Sequence, residues 1–451
     1  MKALESALLN ELALISSEPP NQIAYAFKLT IHANGIDHDV LYVNDVGLLR
    51  HYEQGYGDQL RVSATLTEGV YVHDIIPFKN NLEGTLTRIP LAQSLQHNVN
   101  VSKSQEVYRY KVVLYDGSNP TAAANSPIAQ DKQSMDRASI VTVDFQLLDP
   151  VIERIRLLTV GGTCRKSYGA KVIRVLLSRY SKTNELDATY ALRGVDIAPN
   201  FNETIYENIP IPHGTKVVDM PHVVNELTGG IYSTGFHYYF QMGMWYLYPL
   251  YDVKRFESSQ DTLTILNVPT NRMPGIENSY RKTATQLIVI ATGETKLIDD
   301  SEKLQLNYGN GVRFLNANNV MRNYAKVENN KAIIDRTKIM GEAVVNERPS
   351  GDNLIVNADV RITASLYLEY SKLARRMGSI VQHQWENSDD KYLYPGMPTK
   401  LMYMKNDTAI EVTGVLIGAE TNYSVTNRDP VTKRFTSTTA LTVFIDSSQL
   451  E

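Results

Sequence analysis

The sequence of 451 residues is poor in cysteine and tryptophan, with one Cys and two Trp, and it has no long hydrophobic run. The single cysteine, Cys164, excludes an intramolecular disulfide framework and a cysteine-rich zinc site. No apolar stretch approaches the roughly 20 residues that a membrane-spanning helix needs. The amphipathic N-terminal segment contains Glu5 and Glu11, which break any signal-peptide core. We therefore expect no membrane-spanning segment, and synthesis in the cytoplasm.

An excess of basic residues is also missing. The chain has 45 Lys and Arg against 49 Asp and Glu, for a formal net charge of −4. Proteins that hold nucleic acid tightly usually carry a basic excess. The composition therefore argues against a protein that binds DNA tightly, but it is compatible with a channel through which DNA passes without specific binding.

The sequence contains no recognisable catalytic or nucleotide-binding motif. It has no Gly-Lys-Ser/Thr phosphate loop, no GxGxxG opening a helix after a strand, and no GxSxG elbow. His32 and His38 do not have the i, i+4 spacing of a helical zinc site. No local signature marks Cys164 as a nucleophile, so a small structural residue is expected there.

The remaining clusters of titratable residues predict structural or solvated side chains. His213, His222 and His237 lie in one region, but their spacings match no metal-binding pattern. The adjacent acids Asp299-Asp300 and Asp389-Asp390 are expected in solvated turns, with their side chains facing different ways. The sequence therefore predicts no enzyme, no cofactor and no metal.

Alternating hydrophobicity predicts strands in the first 148 residues and again in the last third of the chain. The segments Ile23–Ile31 and Val141–Leu147 are examples, and turn signals such as Asn34-Gly35 separate such segments. The pattern changes at Asp149-Pro150, where helical spacing begins, and Gly161-Gly162 is predicted to end that helix.

Further elements follow from composition. Helices are predicted at about Ala170–Tyr180, Met220–Thr228 and Ile362–Met377, and Ser118–Arg137 is expected to be a long exposed loop. Between the second and third of these helices, an aromatic stretch predicts two strands, the second containing Met244–Tyr248.

These patterns predict an α+β fold that is mainly β, in three parts. Residues 1–148 are β-rich, residues 149–284 form a mixed α/β domain with an aromatic hairpin, and residues 285–451 form a second β domain with one helix. Antiparallel strands separated by such turns are typical of barrels and sandwiches.

Three stretches in this order resemble a known family. They are VDFQLLDPVIERIRLLTVGGTCR, the hairpin GIYSTGFHYYF followed by MWYLYPLYDVKRF, and WENSDDKYLYPGMPTKLMYM followed by GVLIGAE. Together they resemble the baseplate hub proteins of phage tails, which are trimers that join the tail tube to the central spike. The stretches span about two-thirds of the chain.

The resemblance implies an architecture and a set of partners. Each subunit would contain two tail-tube-like antiparallel β-barrels, so that a homotrimer presents six barrels to the sixfold tube. In this family one barrel can be built from segments that are discontinuous in the sequence. The expected partners are a second and third copy of the chain, the central spike protein, the tail tube or tube-initiator protein and the tape-measure protein. DNA would pass through the assembly during ejection, in the virion tail baseplate.

Two other functions remain open at this point. The first is the hub of a cellular contractile injection or secretion system, whose spikes often continue into a β-helical tip in the same chain. The sequence shows no repetitive tail after residue 445, so a separate spike is expected. The second is a tail-associated cell-wall hydrolase, which would need an acidic or Cys/His constellation.

The chain has 27 Tyr and only 10 Phe, and tyrosines of this kind suit either a protein interface or the edge strands of a large β protein. Within the Met244–Tyr248 strand, Tyr246 and Tyr248 are expected to share a face, with Trp245 on the other. A core role is favoured for Trp245. The candidates for structural or interface roles are Trp245, Tyr246, Tyr248, Trp385, Tyr394, Pro395 and Met397.

The proline-rich motif beginning at Tyr394 predicts a rigid turn before a strand at Lys400. Trp385 precedes this turn in the sequence and is expected to cover it.

Overall fold

A computed structural model describes residues 2–17, 23–92, 105–115, 140–182, 192–268, 278–298, 371, 374–375, 378–405, 408–426 and 433–446. The expected loop Ser118–Arg137, the acids Asp299-Asp300 and almost all of the expected helix Ile362–Met377 lie outside the described residues.

The described residues are mainly β. The strands, in chain order, are β1 (Ile23–Ala33), β2 (Ile36–Asp39), β3 (Tyr42–His51), β4 (Gln59–Thr67), β5 (Leu82–Ala92), β6 (Glu106–Leu114), β7 (Ile140–Leu148), β8 (Thr159–Ser167), β9 (Gly194–Ile197), β10 (Tyr206–Lys216), β11 (His237–Gln241), β12 (Met244–Tyr248), β13 (Thr262–Val268), β14 (Tyr280–Lys282), β15 (Gln286–Ile298), β16 (Gly378–Glu386), β17 (Pro398–Lys405), β18 (Thr408–Val425) and β19 (Phe435–Asp446).

Helices are fewer and mostly short. They are α1 (Lys2–Ser17), α2 (Glu68–Val70), α3 (Pro150–Leu157), α4 (Gly169–Ser181) and α5 (Met220–Leu227). A π-helical turn, Tyr71–Ile75, and a 3₁₀ turn, Ile76–Phe78, continue α2, and 3₁₀ turns also form at Val253–Ser258 and Asp390–Tyr392.

Eight strands are hydrogen-bonded in a closed ring. The order around it is β3, β4, β7, β6, β5, β1, β19, β18 and back to β3, with every pair antiparallel. The β1–β19 contact is short, with Tyr25 opposite Phe435. Six of the strands come from the first 148 residues, and the last two come from the C-terminal part of the chain.

Six strands close a second ring, which shares β18 and β19 with the first. Its order is β13, β17, β18, β19, β16, β15 and back to β13. The length of β18 makes the sharing possible, because Pro398–Lys405 pairs with its first half and β3 pairs with the stretch from Gly418 to Tyr423. Short β14 lies at the outer edge of this ring, on β15.

The interior of the eight-strand ring is filled by side chains. Every one of its strands contributes a buried residue to one apolar cluster: Leu29, Val46, Val62, Leu86, Val112, Phe145, Tyr423 and Phe435. Alternation along each strand directs these residues to one face. The ring therefore encloses a packed core.

A larger apolar cluster joins the six-strand ring to the mixed α/β part. It contains inward residues of the ring, such as Leu263 and Val443, together with buried residues of α3, α4, α5 and the β11–β12 hairpin. These elements carry the helical and aromatic patterns of the sequence, and they pack as one unit with the ring.

The helix that begins at Pro150 ends sooner than predicted. Its N-cap is Asp149, whose side chain accepts hydrogen bonds from the backbone N–H groups of Val151 and Ile152, and the helix ends at Leu157. Gly161 and Gly162 do not end it; they lie inside β8, which pairs with β10. The reason is close packing, because a Cβ at Gly161 would lie 2.6 Å from the Cα of His213 on the paired strand.

The N-terminal helix α1 covers the outer face of the six-strand ring. Leu8 and Ile15 are buried against residues of β13, β15 and β17, including Leu266 and Ile290. The amphipathic pattern predicted for this segment is confirmed. Among the described residues, no helix is long and apolar enough to span a bilayer.

Replacing Ile15 tests this packing. Ile15 is fully buried and Leu9, on the same helix, is 63% exposed. We expect Ile15→Ala to lower the free energy of unfolding by about 2–5 kcal/mol, and the matched Leu9→Ala variant to change it by less than about 0.5 kcal/mol. Urea unfolding of both variants measures this, and equal effects would contradict the packing of α1 on the ring.

Candidate functional site

Two motifs from distant parts of the sequence meet at one place in the fold. The first is the aromatic hairpin of β11 and β12, and the second is the segment from Ser388 to Pro398, which connects β16 to β17. The hairpin turns at Met242 and Gly243, which have φ of 50° and 76°. Positive φ at both central residues is the conformation that suits a tight two-residue hairpin loop.

Trp245 is in the core. Its side chain is fully buried, and the indole Nε1 donates a hydrogen bond to Ser181 Oγ at 2.8 Å. Its ring packs on Phe240, with ring centroids 5.1 Å apart. A side chain with no exposed surface in the single chain cannot contact a neighbouring subunit directly.

Tyr246 and Tyr248 both contact the proline-rich turn. Tyr246 is half-buried, and its ring stacks on Tyr394 at 6.1 Å with an interplanar angle of 23°. Tyr248 is buried, and its hydroxyl donates to the carbonyl oxygen of Tyr52 at 2.5 Å. A Cβ at Gly396 would lie 2.3 Å from the Tyr248 ring, so the glycine permits the close approach.

The other residues of the turn are buried or hydrogen-bonded. Pro395 and Met397 are buried, and the Met397 carbonyl accepts a hydrogen bond from Leu416 N at 2.9 Å, which fixes the turn to β18. The Tyr394 hydroxyl donates to the carbonyl oxygen of Asp261. The strand after the turn begins at Pro398, two residues before the predicted start at Lys400.

Trp385 is also fully buried, on β16. Its indole Nε1 donates to Ser279 Oγ at 3.3 Å, and its ring meets Tyr280 edge to face at 5.5 Å. Tyr280 packs in turn on Tyr392, with centroids 6.0 Å apart. Trp385 therefore reaches the connecting segment through Tyr280.

The prediction of a solvated turn at Asp389-Asp390 is wrong. Both residues are buried, with 1% and 2% of their surface exposed. They do face different ways: Asp389 pairs with Lys391 at 2.5 Å, whereas Asp390 points to two arginines. The cause is tertiary, because those arginines lie 340 and 302 residues earlier in the chain.

Asp390 joins Arg50 and Arg88 at the end of the eight-strand ring. Its Oδ1 accepts from Arg88 Nη1 at 2.8 Å, and its Oδ2 lies 3.1 Å from Arg50 Nη2. Its backbone carbonyl also accepts from Arg50 Nη1 at 2.7 Å. Tyr423, on shared strand β18, donates its hydroxyl to Oδ1 at 2.6 Å. Segment 388–398 is thereby fastened to strands β3, β5 and β18.

Further acids complete the pairing of both guanidinium groups. Asp58 Oδ2 accepts from Arg50 Nε at 3.2 Å, and Glu106 Oε2 accepts from Arg88 Nε at 2.7 Å. Burial alone would raise the pKa of Asp390, but the positive charges of Arg88 and Arg50 outweigh burial and hold that pKa well below its usual value. Asp390 is therefore ionised at neutral pH.

The sequence gives a weak signal of this cluster. Arg50 follows Val46 and Leu48 in the inward phase of β3, and Arg88 follows Leu86 in the inward phase of β5. A charged residue in the inward phase of an apolar strand needs a buried partner. The pattern identifies the two arginines but not Asp390, which carries no such periodicity.

The histidines take structural positions. His237 is 3% exposed, and its Nε2–H can donate to the Gly55 carbonyl at 2.8 Å. Burial lowers its pKa to about 4, so it is neutral at physiological pH. The ring of His222 lies 5.7 Å away, whereas His213 is exposed. Cys164 is half-buried on β8. Within the described ranges, no group of three or more His, Cys, Asp and Glu side chains could hold a metal ion.

Comparison with known proteins gives structural neighbours only. No family model and no curated protein matches the chain. A 43 kDa tail protein of a Shewanella oneidensis prophage has 7% identity over 92% of this chain and 96% of its own, with a TM-score of 0.42. A tail protein from Neisseria meningitidis has 10% identity over 93% and 96%, with a TM-score of 0.43.

A third neighbour is an E. coli component of the type VI secretion system. It has 8% identity over 95% of this chain and 75% of its own, with a TM-score of 0.34. The first two neighbours are described as tail proteins and the third as a component of a secretion system. Identities and TM-scores this low assign no residue a role.

Removing the charge of Asp390 tests the cluster. We expect Asp390→Asn to lower the free energy of unfolding by about 3–5 kcal/mol at pH 7, because it leaves Arg50 and Arg88 buried without their shared partner. A matched variant, Asp45→Asn, removes an exposed acid of β3 and should change little.

The pH dependence follows from the lowered pKa. The stabilisation by Asp390 is complete above the pKa of an unfolded Asp, about 3.9, and it is lost as the pH falls below that value. The gap between wild type and Asp390→Asn should therefore narrow in acid. Denaturant unfolding between pH 7 and pH 3 measures the gap, and equal stabilities at pH 7 would contradict the cluster.

Replacing Trp245 separates a core role from an interface role. We expect Trp245→Ala to cost about 3–5 kcal/mol of stability, without changing the oligomeric state of the molecules that remain folded. Ile205→Ala, at a residue 68% exposed, is the matched control. Thermal melting combined with light scattering measures both quantities, and an unchanged melting temperature with loss of oligomer would indicate an interface.

Proposed function

We propose that this protein is a structural component of a phage tail baseplate: a homotrimeric hub that connects the sixfold tail tube to the threefold central spike. The observation that carries the proposal is the pair of closed strand rings within one chain. Two rings per subunit give six in a trimer, which is the number a sixfold tube requires, and a closed trimer gives a finite assembly. The sequence resemblance to baseplate hubs points the same way.

The two rings are the proposed tube-like barrels. We keep the division into residues 1–148, 149–284 and 285–451, but the strands of the two rings depart from it in two ways. Strands β18 and β19 complete the first ring as well as the second, and β13 joins the second ring from the middle part. The mixed α/β domain would then face the spike.

The path of DNA follows from the filled cores. The eight-strand ring contains a packed apolar cluster and, at one end, the pairs between Asp390 and its arginines, so no duplex can pass through it. The conduit would instead be the space enclosed by the six rings of the trimer. Tube, tape-measure protein and spike would be the further partners.

Light scattering of the purified protein tests the trimer. The proposal predicts a mass three times the 50.7 kDa of one chain at micromolar concentration in neutral buffer. A stable monomer under these conditions would contradict it.

Weak DNA binding is a second expected property. Tight phosphate contacts would slow the passage of DNA, so we expect no retardation of duplex DNA by the assembled protein at roughly physiological salt. Tight binding that weakens steeply with added salt would contradict a conduit and favour a nucleic-acid-binding protein.

A further inference from the structure

A cavity of about 240 Å³ lies at the end of the eight-strand ring, beside the Asp390 cluster. Its apolar wall belongs to the ring interior and includes Leu48 and Leu86. Its opposite wall is formed by the hairpin tip, Met242-Gly243, and by the start of α3. It combines an apolar floor with a few polar groups, as small ligand sites do.

Most polar groups of the cavity wall are already paired within the protein. Arg50 and Arg88 are bound by carboxylates, and the second oxygen of Asp58 accepts from the Tyr239 hydroxyl at 3.1 Å. Gln241 uses both ends of its amide, accepting from Tyr52 and donating to the Leu393 carbonyl at 2.6 Å.

Two hydrogen-bond acceptors remain among the described side chains of the lining, one on Asp149 and one on Tyr110. Asp149 caps α3 through Oδ1 only, and its Oδ2 has no hydrogen-bond partner among the described residues. The hydroxyl of Tyr110 likewise has no hydrogen-bond partner among the described residues. Both residues line the cavity. A carboxylate oxygen and a phenol oxygen can accept hydrogen bonds from one N–H-bearing ligand.

The charges of the wall favour a cation. Of the three carboxylates that line the cavity, those of Asp58 and Asp390 are paired with the guanidinium groups of Arg50 and Arg88, so among the described residues Asp149 is the lining carboxylate without an ion-pair partner. Glu106 adds a further negative charge behind Arg88. Arg109 and Arg193 also line the cavity, but both are exposed, so solvent screens their repulsion.

We infer that this cavity binds a single guanidinium or alkylammonium group, held by Asp149 Oδ2 and the Tyr110 hydroxyl, with its alkyl stem against the apolar floor. The cavity also has aromatic rings, those of Phe27 and Tyr110, that can face a cation. The group could be a free small amine or the Lys or Arg side chain of a partner protein. The inference is independent of the hub proposal.

Calorimetric titration of the full-length protein with propylguanidinium tests the site. Propylurea, a neutral molecule of the same shape, is the matched ligand control. We expect saturable binding of propylguanidinium at pH 7.5 and binding at least about tenfold weaker for propylurea, which is the factor that about 1.4 kcal/mol of charge interaction represents. Absence of saturable binding, or equal binding of the two, would overturn the inference.

Two variants locate the site. Asp149→Asn removes the charge while keeping a residue that caps a helix equally well, and we expect it to weaken propylguanidinium binding at least about tenfold. Asp144→Asn, at an exposed residue of β7, should bind as wild type does. Tyr110→Phe removes the second acceptor and should weaken binding several-fold in a folded protein. Unchanged affinity in both Asp149→Asn and Tyr110→Phe would overturn the assignment.

The pH dependence gives a second readout. Burial, with a smaller contribution from the neighbouring charge of Asp58, raises the pKa of Asp149 to about 6, against the lowering effect of the hydrogen bonds from the backbone N–H groups of Val151 and Ile152. At pH 5 only about a tenth of a group with that pKa is ionised, so affinity should fall about tenfold from pH 7.5. The pKa of Asp58 is also raised by burial. The Asp149→Asn variant keeps Asp58, so the pH dependence that remains in this variant measures the contribution of Asp58. We expect the affinity of this variant to be nearly independent of pH. A wild-type affinity that does not fall in acid would contradict the role of Asp149.

A capped tripeptide with a central arginine distinguishes the two sources of the cation. Binding of the peptide as tight as that of propylguanidinium would support a partner side chain. Binding of propylguanidinium with no binding of the peptide would support a free small amine. Both results support a cation site, and failure to bind either would overturn it without bearing on the oligomeric state.

Discussion

The antiparallel pairing of β18 with β19 is the constraint on which the rest of the fold depends. These strands belong to both rings, so each ring is closed by the same ladder, from Gly414 opposite Ile445 to Val425 opposite Phe435. A shift of one of these strands by one residue would turn every inward side chain of that strand outward. Because the two rings have packed interiors, such a shift would disrupt both cores at once.

Segment 388–398 connects the two rings. The segment leaves the six-strand ring after β16, inserts Asp390 into the end of the eight-strand ring, and returns as β17. On its way it packs against the aromatic hairpin through Tyr394 and Gly396. One connecting segment thus touches both rings and the mixed α/β part, and we expect it to restrict motion between them.

Local patterns in the sequence predict the elements well. Period-two alternation locates β1, β7, β16 and β19, and helical spacing locates α4 and α5. The charge-poor aromatic stretch predicts β12 with the bounds that it has in the structure. The exception, Gly161-Gly162, shows that a glycine pair can mark a close approach between strands as well as a helix end.

Long-range pairing could not be predicted from these patterns. Nothing near Asp390 in the sequence indicates that it meets Arg50 and Arg88, and its acidic neighbour favours a solvated turn. The sharing of β18 is likewise invisible, because an 18-residue strand with one continuous apolar pattern gives no sign that its halves have different partners. The cavity at Asp149 is lined by residues from ten separate stretches of the chain, so only the helix cap can be predicted from the sequence.

The central claim is that the two rings of each chain occupy equivalent places in a trimer. Cryo-electron microscopy of the purified assembly tests it most directly. The account predicts a threefold particle in which six rings lie at one radius around an open lumen, with the mixed α/β parts on one side. A threefold particle whose two kinds of ring lie at different radii, or a particle without a lumen, would contradict it.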